Sequence, residues 1–218
     1  MIDGRKMSHF FKGCVLFFAA LTFMFPAENT FQLIHSGNHT TTLKLITAPQ
    51  IESVEGGFSR IAKFGKGHTV EIGAPELPYY STYYQLDPHK SYDFQLVVID
   101  SYEIEDISIM PHQGMEKWEV ESVVSLNEEL YSSYTPWPEN NLEISERSAG
   151  RGIEFVSIQV TPYTYYPKYK KLVVLNEVEV VITETGNFPS PVMKQSKRSH
   201  IFDDFYKDMF INFTKSER

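Results

Sequence analysis

Thiols are almost missing from this chain: Cys14 is the one cysteine in 218 residues. It lies near the amino terminus, at the start of an apolar run. A mature protein lacking that segment would carry no disulfide, no thiolate metal site and no cysteine nucleophile. Positive charge is also scarce. The chain has 20 Lys and Arg against 28 Asp and Glu, a net charge of −8. Nucleic-acid binders need a basic face for phosphate contacts, so this balance argues against them. Long hydrophobic runs are missing too. Cys14–Phe25, "CVLFFAALTFMF", is the one sustained stretch, well short of the roughly 20 residues that a helical membrane span requires. No G-x-S-x-G, no phosphate-binding glycine pattern and no metalloprotease motif occurs. The spacing H-x-x-x-H appears only at His35 and His39. Gly37 and Asn38 between them favour a turn, so the pair reads as surface histidines rather than metal ligands. No cofactor is expected.

What is present begins with an export signal. Arg5, Lys6 and Lys12 precede the apolar run, and a basic flank followed by a short apolar core describes a secretory signal peptide. Residues 1–27 are assigned to it, with an uncleaved anchor as the other reading. The expected location is secreted or cell-surface, with membrane contact only through this segment. Removing its surplus of two positive charges takes the net charge from −8 to −10.

Residues 28–186 alternate apolar and polar side chains in short runs broken by Gly, Pro and Asn, with 13 Tyr and 16 Phe in the whole chain. Such residues favour strands, and turn signals recur about every ten residues, as in sandwich folds. "SVEGGFSRI" (Ser53–Ile61) reads as two strands around Gly56-Gly57. "YDFQLVVID" (Tyr92–Asp100) places Tyr92, Phe94, Leu96 and Val98 on one face. "YEIEDISI" (Tyr102–Ile109) slips phase near Asp106, predicting a bulge or turn. "YTYYPKYKK" (Tyr163–Lys171) reads as a connection. In Lys171–Thr183, Leu172, Val174, Val178, Val180 and Ile182 share one face with period two. The expectation is an all-β sandwich of eight to nine mostly antiparallel strands. "GAPELPYYS" (Gly73–Ser81), with two prolines that cannot donate to a ladder, is expected to cross from one sheet to the other and deliver tyrosines into a strand. Glu116–Asn141 reads as a long functional loop region.

Residues 187–199 read as a linker, with the dibasic Lys197-Arg198 as its candidate processing site. In 200–218, Phe202, Phe205, Tyr206, Met209, Phe210 and Phe213 fall on one helical stripe, with Ser199 available as N-cap. The carboxylate pairs Glu103/Glu105 and Glu177/Glu179 read as solvated strand faces. Lys90, Lys117, Arg147 and Arg151 lie in or beside predicted loops, where an extended backbone with one basic anchor could occupy a protease cleft.

Four stretches in order resemble the N-terminal prodomain of gingipain-type, caspase-like cysteine peptidases. They are "GAPELPYYS" (Gly73–Ser81), "ISIMPHQG" (Ile107–Gly114), "RGIEFVSIQVTPYTYYPKYKKLVVLNEVEVVIT" (Arg151–Thr183) and "FDDFYKDMFINF" (Phe202–Phe213). The resemblance implies a non-catalytic β-sandwich that keeps a peptidase domain latent, in cis or in trans, and assists its folding. It also implies an inhibitory loop with a basic residue for the peptidase's specificity pocket, with Lys117 and Lys90 as candidates. The family's catalytic Cys and His have no counterpart in this sequence. The alternative is a surface β-sandwich that binds carbohydrate or protein through exposed tyrosines.

Overall fold

In Lys171–Asn187, side chains at positions 172, 174, 178, 180 and 182 are all at most 1% exposed. This is the strand that the period-two pattern predicts, and the first sheet is built around it. The computed structural model describes residues 30–62, 67–114, 124–150, 152–189 and 200–213. In chain order the strands are β1 (Phe31–Ser36), β2 (Thr40–Ile46), β3 (Ile51–Ser53), β4 (Ser59–Ile61), β5 (Gly67–His68), β6 (Pro78–Leu86) and β7 (Lys90–Ile104). After helix α1 (Glu128–Tyr131) come β8 (Leu142–Ile144), β9 (Ser148–Gly150), β10 (Ile153–Val160), β11 (Tyr163–Tyr166) and β12 (Lys171–Asn187). Helix α2 (Asp203–Met209) follows.

β12 pairs with β7 along its length on one edge. On the other it pairs first with β11 and then with β2, beyond which lies β1. The second sheet runs β5-β6-β10, and β8 and β9 share the far edge of β10. β3 and β4 form a separate ribbon. All these ladders are antiparallel. The inward residues of both sheets merge into one core: Leu43 and Leu45 from β2, Tyr80 and Tyr84 from β6, Val156, Ile158 and Val160 from β10, and the β12 face. Tyr84 Oη donates to Thr41 Oγ1 across the two layers at 2.9 Å, so its polar tip is satisfied inside the core. The β-sandwich expected from alternation is the observed fold.

The differences from expectation have local causes. Twelve strands are present among the described residues instead of eight or nine. Several of the extra ones span only two or three residues, too short to show a period. β7 continues to Ile104 as one 15-residue strand, and the chain then breaks at Asp106, which takes a left-handed φ of 55°. Tyr163–Tyr166 is a strand, and only Pro167–Tyr169 forms the turn. Gly73–Leu77 does not cross between sheets. It links β5 to β6, which are neighbours in one sheet, because its hydrogen bonds go to the segment after β7 instead. Phe205 is 60% exposed while Tyr206 and Phe210 pack on Ile153, so only part of the aromatic stripe is covered. Phe202 precedes α2 and offers no side-chain cap. Ser199 lies outside the described residues. No helix among those residues is long and apolar enough to cross a membrane.

Candidate functional site

The stretch Gly73–Pro78, carrying the two-proline motif, is buried throughout. It works as a backbone template for two arms that flank residues 115–123. On one arm, Gly73 N donates to His112 O at 2.8 Å, His112 N to Ala74 O at 2.8 Å and Glu76 N to Met110 O at 2.9 Å. On the other, Asn127 N donates to Gly73 O at 3.0 Å. Only glycine suits position 73: its φ is 82°, and a Cβ there would meet Asn127 N at 2.9 Å. Pro75 has no N–H to leave unsatisfied, and its carbonyl accepts from Thr69 Oγ1 at 2.8 Å and Trp137 Nε1 at 3.1 Å. Tyr131 of α1 donates to Ile109 O at 2.7 Å, fixing the first arm from the side.

Gln113 closes the two arms. Its Nε2 donates to Pro111 O at 2.7 Å and to Ser125 O at 3.0 Å, and its Oε1 accepts from Ser125 N at 2.7 Å. One amide thus imitates a strand partner, holding the chain just before and just after the nine residues 115–123. Beneath this stem sits Glu76, 5% exposed. Its Oε1 lies 3.6 Å from Arg60 Nε. Its Oε2 accepts from His112 Nδ1 at 2.9 Å and lies 4.0 Å from His68 Nε2.

The residues singled out from sequence fall in different places. Lys117 lies within 115–123 and Arg151, Lys197 and Arg198 lie in other segments outside the described residues, but the stem that carries Lys117 is described on both sides. Lys90 opens β7, directly beside the turn at Asp87–His89. It pairs with Asn187, and its Nζ is 3.8 Å from Glu184. Nine-residue β6 separates the stem from the turn before Lys90, about 30 Å at a rise of roughly 3.3 Å per residue. Arg147 is occupied: Nη1 meets Glu154 Oε2 at 2.9 Å, Nη2 donates to Lys90 O at 2.6 Å, and the guanidinium stacks 4.0 Å from the Phe188 ring centroid. Glu177 and Glu103 pair with Lys44 and Lys171. His39 sits on the surface beside Glu184 at 3.2 Å. The Glu76 cluster escaped sequence reading because its members are 8 and 36 residues apart, with no motif spacing. The one signal for it was an acid between two prolines in an otherwise apolar stretch.

Of the tyrosines, Tyr80, Tyr84, Tyr163 and Tyr165 belong to the core. Burial raises the phenol pKa at each, and at Tyr163 the neighbouring Tyr80 adds to it. Tyr134 and Tyr169 are exposed and meet edge to face with ring centroids 5.5 Å apart.

The described residues thus form a two-layer antiparallel scaffold whose hydrogen bonds hold both ends of one connection. The chain belongs to the Propeptide_C25 family, whose model matches residues 40–218. Among solved structures it is similar to a chain in the complex of Porphyromonas gingivalis RgpB pro- and mature domains. The TM-score there is 0.70 at 19% identity, covering 84% of this chain and 97% of that one. It is also similar to a structure of gingipain K from Porphyromonas gingivalis that addresses zymogenic latency. The TM-score is 0.58 at 16% identity, covering 73% of this chain and 94% of that one. No curated protein matches the sequence.

Proposed function

We propose that this protein is an exported prodomain that holds a gingipain-type, caspase-like cysteine peptidase latent and assists its folding, whether the two are fused or separate. The observation that carries this is the stem. Gly73–Glu76 and Gln113 fix both ends of residues 115–123, so Lys117 is offered on a segment whose ends are already ordered. Pre-ordering lowers the entropy lost on binding. A lysine in a specificity pocket meets a carboxylate there, and a few such anchors carry most of an interface's energy. The mechanism is steric: the segment lies along the cleft and the sandwich excludes substrate. Export runs through residues 1–27, and cleavage in the linker at Lys197-Arg198 begins release.

The test is titration of purified residues 28–218 into a gingipain-type peptidase. Submicromolar inhibition is expected, weakened about 30-fold by Lys117→Ala, the size of a ~2 kcal/mol hot spot. Lys90→Ala should leave it unchanged. No inhibition at high micromolar concentration would remove the proposal. Refolding yield of the peptidase with and without the prodomain tests the folding role.

A further inference from the structure

We propose that His68, Glu76 and His112 form a binding site for one divalent first-row cation, best matched by Zn²⁺, which staples the stem. Their donor atoms all lie within 4.8 Å of one another. Two imidazoles and one carboxylate make up a common three-ligand set for tetrahedral zinc, with a fourth position left to water. The two oxygens of Glu76 are divided between different partners. Arg60 faces Oε1, while His112 and His68 both converge on Oε2. A cation can therefore take Oε2 without displacing the guanidinium, and Arg60 plays the part of an outer group orienting a ligand carboxylate.

The three ligands are also held at their backbones. His68 pairs with Pro78 in β5–β6, Glu76 N bonds to Met110 O, and His112 bonds through both N and O to Gly73–Ala74. The two imidazole centroids are 5.0 Å apart and tilted by 57°. With bonds near 2.0–2.1 Å, the donors of a tetrahedral zinc site lie about 3.3 Å apart. Closing the site takes an ångström-scale shift of His68, the most exposed of the three at 27%. Zinc at His112 Nδ1 would take the place of the hydrogen bond to Glu76, with that ring's proton carried on Nε2, the neutral tautomer a zinc ligand needs. Three segments that meet through hydrogen bonds would then also share a metal.

The experiment uses untagged, purified chain stripped with EDTA and desalted, then titrated with ZnCl₂ by calorimetry. Uptake of one zinc per chain with micromolar or tighter affinity is expected, with a rise in Tm. His68→Ala and His112→Ala, checked for folding by circular dichroism, should each weaken binding at least tenfold. His39→Ala should bind as the native chain does. Co²⁺ added to the native chain should give the visible absorption of a tetrahedral site, a readout that needs no variant. No zinc uptake, uptake unaffected by either folded histidine variant, or only six-coordinate Co²⁺ would overturn the proposal and leave a purely hydrogen-bonded cluster.

Discussion

Replacing Gln113 by alanine would remove three hydrogen bonds at once, one to Pro111 O and two to the backbone of Ser125. A net intramolecular hydrogen bond is worth about 0.5–1.5 kcal/mol. The two bonds to Ser125 are exposed, so water replaces them readily and each belongs near 0.5 kcal/mol. The bond to Pro111 is partly buried and belongs near 1 kcal/mol. Their sum is about 2 kcal/mol. With a urea dependence of about 2–3 kcal/mol per molar for a domain this size, the midpoint should fall by about 0.7–1 M. The loss should be local first. Amide exchange at Ser125 should speed up about 30-fold, the factor that corresponds to 2 kcal/mol, while amides in β12 change only through global unfolding. If the clamp sets the pose of residues 115–123, the same factor limits how far peptidase inhibition can weaken. An unchanged midpoint together with unchanged Ser125 exchange would refute the reasoning, since the amide would then be holding nothing that water does not.

Other perturbations separate scaffold from function. Arg147→Met should cost about 2–3 kcal/mol, below the 3–5 kcal/mol of a fully buried pair because the arginine keeps some water contact. It should leave peptidase inhibition unchanged once stability is restored by lower temperature, and weakened inhibition in the folded variant would return Arg147 to the list of anchors. Ile158→Ala, at a fully buried position of β10, should lose about 2–5 kcal/mol in urea unfolding; a loss below 1 kcal/mol would mean that the two sheets are not packed there. The buried phenols predict alkaline sensitivity. Their folded pKa values are raised, so the folded state keeps protons that the unfolded chain releases above its ordinary tyrosine pKa of about 10. Stability should be constant through neutral pH and fall as pH climbs past about 10, with tyrosinate absorbance appearing together with unfolding. Gradual ionisation of Tyr163 in a still-folded chain would contradict it.

Alternation made the long strands legible. In β12 every residue assigned inward from period two is buried, even across the register shift between Val174 and Glu177. The phase slip at Asp106 marked a real backbone break. Strands of two or three residues, such as β5 and β9, were not legible, because a period needs more residues than they contain and tertiary pairing alone creates them. The two-proline segment was recognised as rigid, but its partners were not. Its long-range backbone partners lie 34 to 54 residues away, and backbone hydrogen bonds leave no side-chain trace. A separation of 36 residues likewise hid the contact of His112 with Glu76. Basic residues could be counted from sequence, yet only the structure shows that Arg147 is already bound at both ends of its guanidinium and that Lys90 begins a strand.

The chain after α2 returns to β6. Phe210 bridges Tyr83, Ile211 N donates to Tyr83 O at 3.0 Å, and Asn212 exchanges two hydrogen bonds with the backbone of Gln85. With Tyr206 and Phe210 seated against Ile153, these contacts clasp the segment onto the edge that β5 leaves open. A nick anywhere between Pro189 and His200 therefore cuts the thread without parting the pieces. Such a molecule runs as two bands once denatured and as one while native, and proteolysis and departure become separate events, each with its own barrier.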